Sequence, residues 1–142
     1  MDFEQIENKI VEQLKAGITY AKTIETYAGQ LETNINELPI QFPAIYTVYA
    51  GSQFDWVDGR SYKETCNYGV IVVAQNLRGK ETLRKGVGSS YQIIMDVLTA
   101  IANKNFNLDI EKMKPVNVSL LFVSGIIAAY TIEFQTYFDK IY

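Results

Sequence analysis

Between Tyr62 and Ala74 apolar residues recur at every second position, and Cys66, Tyr68, Val70, Val72 and Ala74 share one face of an extended chain. A strand of this length must pair with neighbours and bury that face under a second layer, so the remaining segments have to supply both. The pattern then switches period. Val87, Tyr91, Ile94, Leu98 and Ile101 repeat at four, three, four and three, Val97 widens the stripe, and Ser89, Gln92, Asp96, Thr99 and Asn103 lie opposite. That spacing predicts an amphipathic helix. Ser89 with Gln92 fits a capping box, and Gly86 and Gly88 let the chain turn into the helix.

The other segments match this frame. Phe3, Ile6, Ile10 and Leu14 are spaced as one helical face of about four turns, with Gly17 as the stop. Asp2 and Glu4 suit the positive end of its dipole. Tyr20–Tyr27 has strand-forming composition, and Gly29–Pro39 is polar loop. Phe42–Tyr49 is apolar on both alternating faces, which predicts a strand covered on both sides. Gly51–Arg60 reads as the tip of a long hairpin with Asp58-Gly59 as its turn, and it carries Phe54, Trp56 and Val57. These three either fold back onto the domain or form a contact surface. After a polar linker from Asn103 to Lys114, into which Leu108 and Ile110 dip, Val116–Val123 and Ile126–Tyr137 form a closing hairpin at Ser124-Gly125. The expectation is a single α+β domain over residues 1–142: an antiparallel or mixed sheet of about four to six strands with two main helices packed on it.

The chemistry is bounded by what the chain lacks. It contains no histidine and one cysteine, Cys66. This removes imidazole acid–base work, histidine-activated nucleophiles and intramolecular disulfides. Cys66 sits among apolar neighbours and is expected to be an inert core thiol. No apolar run reaches the ~18 residues of a membrane-spanning helix, and the N-terminus has no signal-peptide pattern. Asp55 and Asp58 lack the continuation of a calcium loop. No catalytic residue, metal site or cofactor is expected.

The segment after the long strand, Gln75-Asn-Leu-Arg-Gly-Lys-Glu-Thr-Leu-Arg-Lys-Gly-Val-Gly88, invites a phosphate-loop test and fails it. Gly79-Lys80 is followed by Glu81 rather than Ser or Thr, and Ala74 stands where the first glycine belongs. The dinucleotide fingerprint fails at Tyr91. What remains is a basic run, Arg78, Lys80, Arg84 and Lys85 against the single Glu81, in a chain of net charge −3. It is open to three readings: a solvated loop, a nucleic-acid or small-ligand contact, or an inter-subunit contact. The first helix, with Asp2, Glu4, Glu7 and Glu12, is a candidate acidic counterpart in a head-to-tail assembly.

Several motifs in order carry a family resemblance: Val11-x-x-Leu14, Ile24-Glu-Thr-Tyr27-x-Gly29-x-Leu31, Leu38-Pro39-x-x-Phe42-Pro43-Ala44, Val73-Ala74-x-Asn76-Leu77-Arg78-Gly79, Gly86-x-Gly88-x-x-Tyr91 and Tyr130-x-Ile132-x-Phe134-x-Thr136-Tyr137. Over nearly its whole length the chain resembles the Mu-like phage family of small tail proteins, understood as tail terminators. The resemblance implies a homo-oligomer, a hexameric ring on the head-proximal end of a contractile tail. Such a ring stops tube or sheath polymerisation and offers a docking face to a head–tail connector or collar, with DNA able to pass through the lumen. Similar parts occur in headless relatives, the R-type bacteriocins and contractile injection systems. It also implies assembly in the host bacterial cytoplasm, then incorporation into a virion or tail-like particle, and no enzyme activity. Under this reading Phe54, Trp56, Arg78, Lys80, Arg84 and Lys85 are the candidate interface residues.

Overall fold

The computed structural model describes residues 2–32, 40–75 and 89–142. Two helices and five strands follow in the order α1 (Phe3–Gly17), β1 (Thr23–Thr26), β2 (Ala44–Asp58), β3 (Ser61–Gln75), α2 (Ser90–Ile101), β4 (Lys114–Ser124) and β5 (Ile127–Ile141). The strands make one sheet in the order β1-β2-β3-β5-β4. β1 runs parallel to β2 and every other neighbour is antiparallel, so the sheet is mixed and the fold is α+β, as expected.

Both helix starts are capped as their sequences require. Asp2 accepts a hydrogen bond from the Gln5 amide at 2.8 Å, and the Ser89 hydroxyl accepts one from the Gln92 amide at 3.3 Å. α1 buries Ile6, Ile10 and Leu14 of the expected face, while Phe3 at its start is exposed and stacks on Tyr49. α2 buries Ser90, Ile93, Ile94, Val97, Ala100 and Ile101, whereas Tyr91 is exposed and Leu98 only partly covered. The buried stripe is thus rotated by about one position from the one predicted. The large residues Tyr91 and Leu98 suggest a centre that the packing does not use. A side chain added at Gly17 would meet the Ala100 Cβ at 3.5 Å.

The two helices lie on one face of the sheet. There Ile10, Leu14, Val97 and Ile101 pack with Ile45, Tyr68, Val70, Val72, Ile132 and Phe134. At the β1 end the opposite face carries a smaller cluster of Ala44, Tyr46, Val73, Ile127 and Ala129, covered by Tyr27, Leu31 and Phe42. The first four residues of β2 are therefore buried on both sides, as their uninterrupted apolar pattern implies.

Two strands extend further than predicted. β2 does not end at Tyr49 but runs on to Asp58, and β3 starts at Ser61, so the region taken for a loop tip is mostly ladder. Gly51, at φ 113°, occupies the bulge that carries β2 past Tyr49, a conformation costly for any other residue. Gly59 at φ 47° makes the turn beside Asp58. β5 likewise continues past Tyr137 to Ile141 and pairs with β3 along its whole length. The outer end of the sheet is thus three strands wide, built from the ends of β2 and β5 and the start of β3.

Candidate functional site

The outer end of the sheet carries two of the six candidate interface residues. Phe54 and Trp56 pair with Glu64 and Tyr62 across the β2–β3 ladder, which places them on the same face as the helices. Neither folds back into the core: Trp56 is 65% exposed and Phe54 53% exposed, with Val57 beside them also exposed. Phe54 sits edge-on to Tyr62 and Tyr142 at centroid separations of 6.4 and 6.0 Å, and Tyr62 and Tyr142 complete the triangle at 6.0 Å. The Trp56 indole donates to the Gly59 carbonyl at 3.2 Å, which fixes the ring at the turn. A rigid aromatic surface results, and it is solvent-facing.

Beneath it lies a polar knot. The Glu64 carboxylate is buried; it accepts from the Ser52 hydroxyl at 2.9 Å and the Tyr142 hydroxyl at 2.9 Å, and the Cys66 thiol lies at 3.5 Å. The Ser52 hydroxyl also bonds Tyr49, while Arg60 Nε donates to the Tyr142 carbonyl and the Tyr142 amide to the Arg60 carbonyl. Tyr142 is thereby tied to the hairpin turn and to β3. Burial pushes the Cys66 thiol up to about 11, and Glu64 beside it acts in the same direction. A thiol held protonated is the opposite of an activated nucleophile. The knot is a fastening, and Cys66 is the core thiol expected.

A second polar contact joins the layers. Glu7 Oε1 accepts from Thr26 and Thr47, each at 3.0 Å, which pins α1 to β1 and β2. Glu12 pairs with Lys9 at 3.4 Å, and Asp2 is the helix cap. Three of the four acids proposed as an acidic counter-surface thus have partners within the chain. The basic partners, Arg78, Lys80, Arg84 and Lys85, lie outside the described residues. Among the described residues no group of three or more Cys, Asp and Glu could hold a metal ion, and no helix is long and apolar enough to cross a membrane.

One surface escaped sequence reasoning. β4 alternates Val116, Val118 and Leu120 with Asn117 and Ser119, the pattern of a half-buried strand, yet all five are exposed, and Leu121 with them. β4 lies at the sheet edge, beyond the reach of the helix layer. Its position in the strand order is a long-range property that alternation does not encode.

Comparison with known proteins accords with this fold. A family model described as bacteriophage Mu, Gp37 matches residues 2–139. Among solved structures, a chain of the virion of a native gene transfer agent particle superposes with a TM-score of 0.61 at 11% identity, covering 92% of each chain. No curated protein matches. At that identity the structural likeness speaks for the fold, while the family match spans almost every residue from α1 to the end of β5. The chain belongs to the bacteriophage Mu Gp37 family, the Mu-like phage tail family to which its motifs point.

Proposed function

We propose that this chain is a structural tail terminator: copies form a ring, a hexamer by family resemblance, that caps the head-proximal end of a contractile tail. The cap stops tube or sheath growth and presents a docking face to a connector or collar. The observation that carries the reading is the family match across residues 2–139, joined to a fold most of whose exposed large apolar residues sit on strands. A likeness to a chain in a virion particle supports the same class of role. Assembly would take place in the host cytoplasm and end in a virion or a headless tail-like particle.

Mechanically the fold suits a cap. A subunit that terminates a polymer needs one surface for its neighbour, a second for the tube, and stiffness between them. The Glu64 knot and the aromatic triangle make the outer end of the sheet stiff, and Phe54 and Trp56 give it contact area at low entropic cost. Negative-stain microscopy tests the reading. Six-fold rings of the purified chain, or caps seen at tail ends, are expected. Monomers that never decorate tails, together with a salt-dependent shift of DNA by the isolated chain, would move the assignment to a nucleic-acid module using the basic segment Arg78–Lys85.

A further inference from the structure

β4 is bare in a way native edges seldom are. It is eleven residues long, its outer backbone groups face no described strand, and Val116, Val118, Leu120 and Leu121 are all exposed. Proteins normally shield such an edge with charge, proline, bulges or a covering element, and among the described residues only Lys114 and Pro115 at its start and the register shifts at Val116 and Leu121 do so. On the helix-side face Val118 and Leu120 stand opposite Ile132 and Tyr130, and Tyr91 of α2, itself exposed, meets Tyr130 at 6.5 Å. Edge and helix together form one apolar step.

The same sheet has a second unpaired edge. β1 covers only Ala44–Thr47 of β2, which leaves Val48–Asp58 with no described strand outside it. We infer that β4 of one copy pairs with this free stretch of β2 in the next copy, so that the sheets of neighbouring subunits run on edge to edge. The inference rests on the ring reading above and names its subunit contact.

Direction, face and charge agree. Three antiparallel steps from β2 through β3 and β5 leave β4 antiparallel to β2. A neighbour turned about an axis along the strands therefore offers its β2 antiparallel to β4, the more stable pairing. Such a rotation also keeps the helix-side faces together. The neighbour's Phe54 then comes alongside Val118 and diagonal to Leu120, apolar against apolar. Gly51–Asp58 carries Asp55 and Asp58 with no cation, whereas β4 carries Lys114 with no anion. Pairing β4 with β4 would give Lys114 no acidic partner and leave the aromatic end uncovered.

The two edges lie at different heights. Through the ladder Lys114 is level with Gln135, Asn67 and Gly51, whereas an end-to-end antiparallel register sets Lys114 against Asp58 and Val118 against Phe54. The stagger is ~7 residues, or ~23 Å at ~3.3 Å per residue, over a five-strand width of ~24 Å. A strand tilt of ~45° to the ring axis absorbs it, at the upper end of the ~35–45° range found where sheets close on themselves.

Sedimentation of the full chain and thiol cross-linking test the contact. Val118→Lys with Leu120→Lys, both at exposed positions, should lose the oligomer while circular dichroism and Tm stay as in wild type. In a Cys66→Ala background, Val118→Cys mixed with Phe54→Cys should give inter-chain cross-links through a short bifunctional reagent, and neither should cross-link alone. An oligomer that survives the double lysine variant overturns the edge contact and leaves the ring standing. Self-cross-linking of Val118→Cys shows a two-fold β4 contact and overturns the head-to-tail pairing. A wild-type chain that is monomeric alone and on tails overturns contact and ring together.

Discussion

β2 is one strand with two unlike halves. Tyr46, near its start, is fully buried, while Trp56, ten residues on in the same strand, is 65% exposed. Both halves are rich in aromatic and branched residues, and both are ladder. The difference is in what surrounds them. The first half has β1 beside it, α1 above it and the Tyr27–Phe42 cluster below; the second has β3 on one side and no described strand on the other. An apolar side chain in the first half stabilises the fold, and one in the second stays exposed on it.

Substitutions should separate the two roles. The largest stability loss belongs to the covered region: Phe134→Ala, buried in the helix-side core, should cost about 3–5 kcal/mol in denaturant unfolding. Glu64→Leu, which strips the knot of its acceptor and leaves the Ser52 and Tyr142 hydroxyls without that partner, should cost about 1–3 kcal/mol and loosen the chain terminus, as hydrogen exchange would read. Tyr46→Phe should be neutral or stabilising by up to about 1 kcal/mol, because that buried hydroxyl has no hydrogen-bond partner among the described residues. Trp56→Ala should move stability by no more than about 0.5 kcal/mol and yet impair assembly; an intact assembly would remove the outer end from the interface.

Alkaline pH should act on buried groups in both regions. Burial raises the Cys66 thiol from 9.0 to about 11 and the Tyr46 phenol from 10.0 to about 12. A raised folded value means that the unfolded chain releases its protons first. These groups therefore leave stability untouched below about pH 9 and withdraw it as pH rises through about 9–12. Thermal melts should show that fall, and a Cys66→Ala variant should begin its fall about one pH unit later.

Much of the fold was legible in the residues. The capping pair Ser89 and Gln92, the stripe of Ile6, Ile10 and Leu14, and the alternation from Cys66 to Ala74 are local signals, and each led to the element seen. The Phe42–Tyr49 pattern even announced burial on both faces. Other features depend on distant residues. The stripe on α2 is centred on Ile93, Val97 and Ala100, a choice among neighbouring helical faces that depends on what the helix packs against. From sequence, Gly51–Arg60 reads as a hairpin tip turning at Asp58-Gly59, and only the register with β3 shows that most of it is ladder beyond a bulge at Gly51. Exposure of β4 follows from strand order, so nothing within Lys114–Ser124 could reveal it. The charge argument narrowed for a similar reason: Glu7 was counted as surface, but it fastens α1 to Thr26 and Thr47. If Arg84 and Lys85 serve assembly, their reversal to Glu should weaken capping without lowering Tm.

The most direct measurement is the length distribution of tails assembled with and without this chain, read by electron microscopy. A terminator predicts tails of one length when the chain is present, and overlong tubes of scattered length when it is missing or carries Phe54→Ala with Trp56→Ala. Tails of unchanged length in its absence would contradict the role.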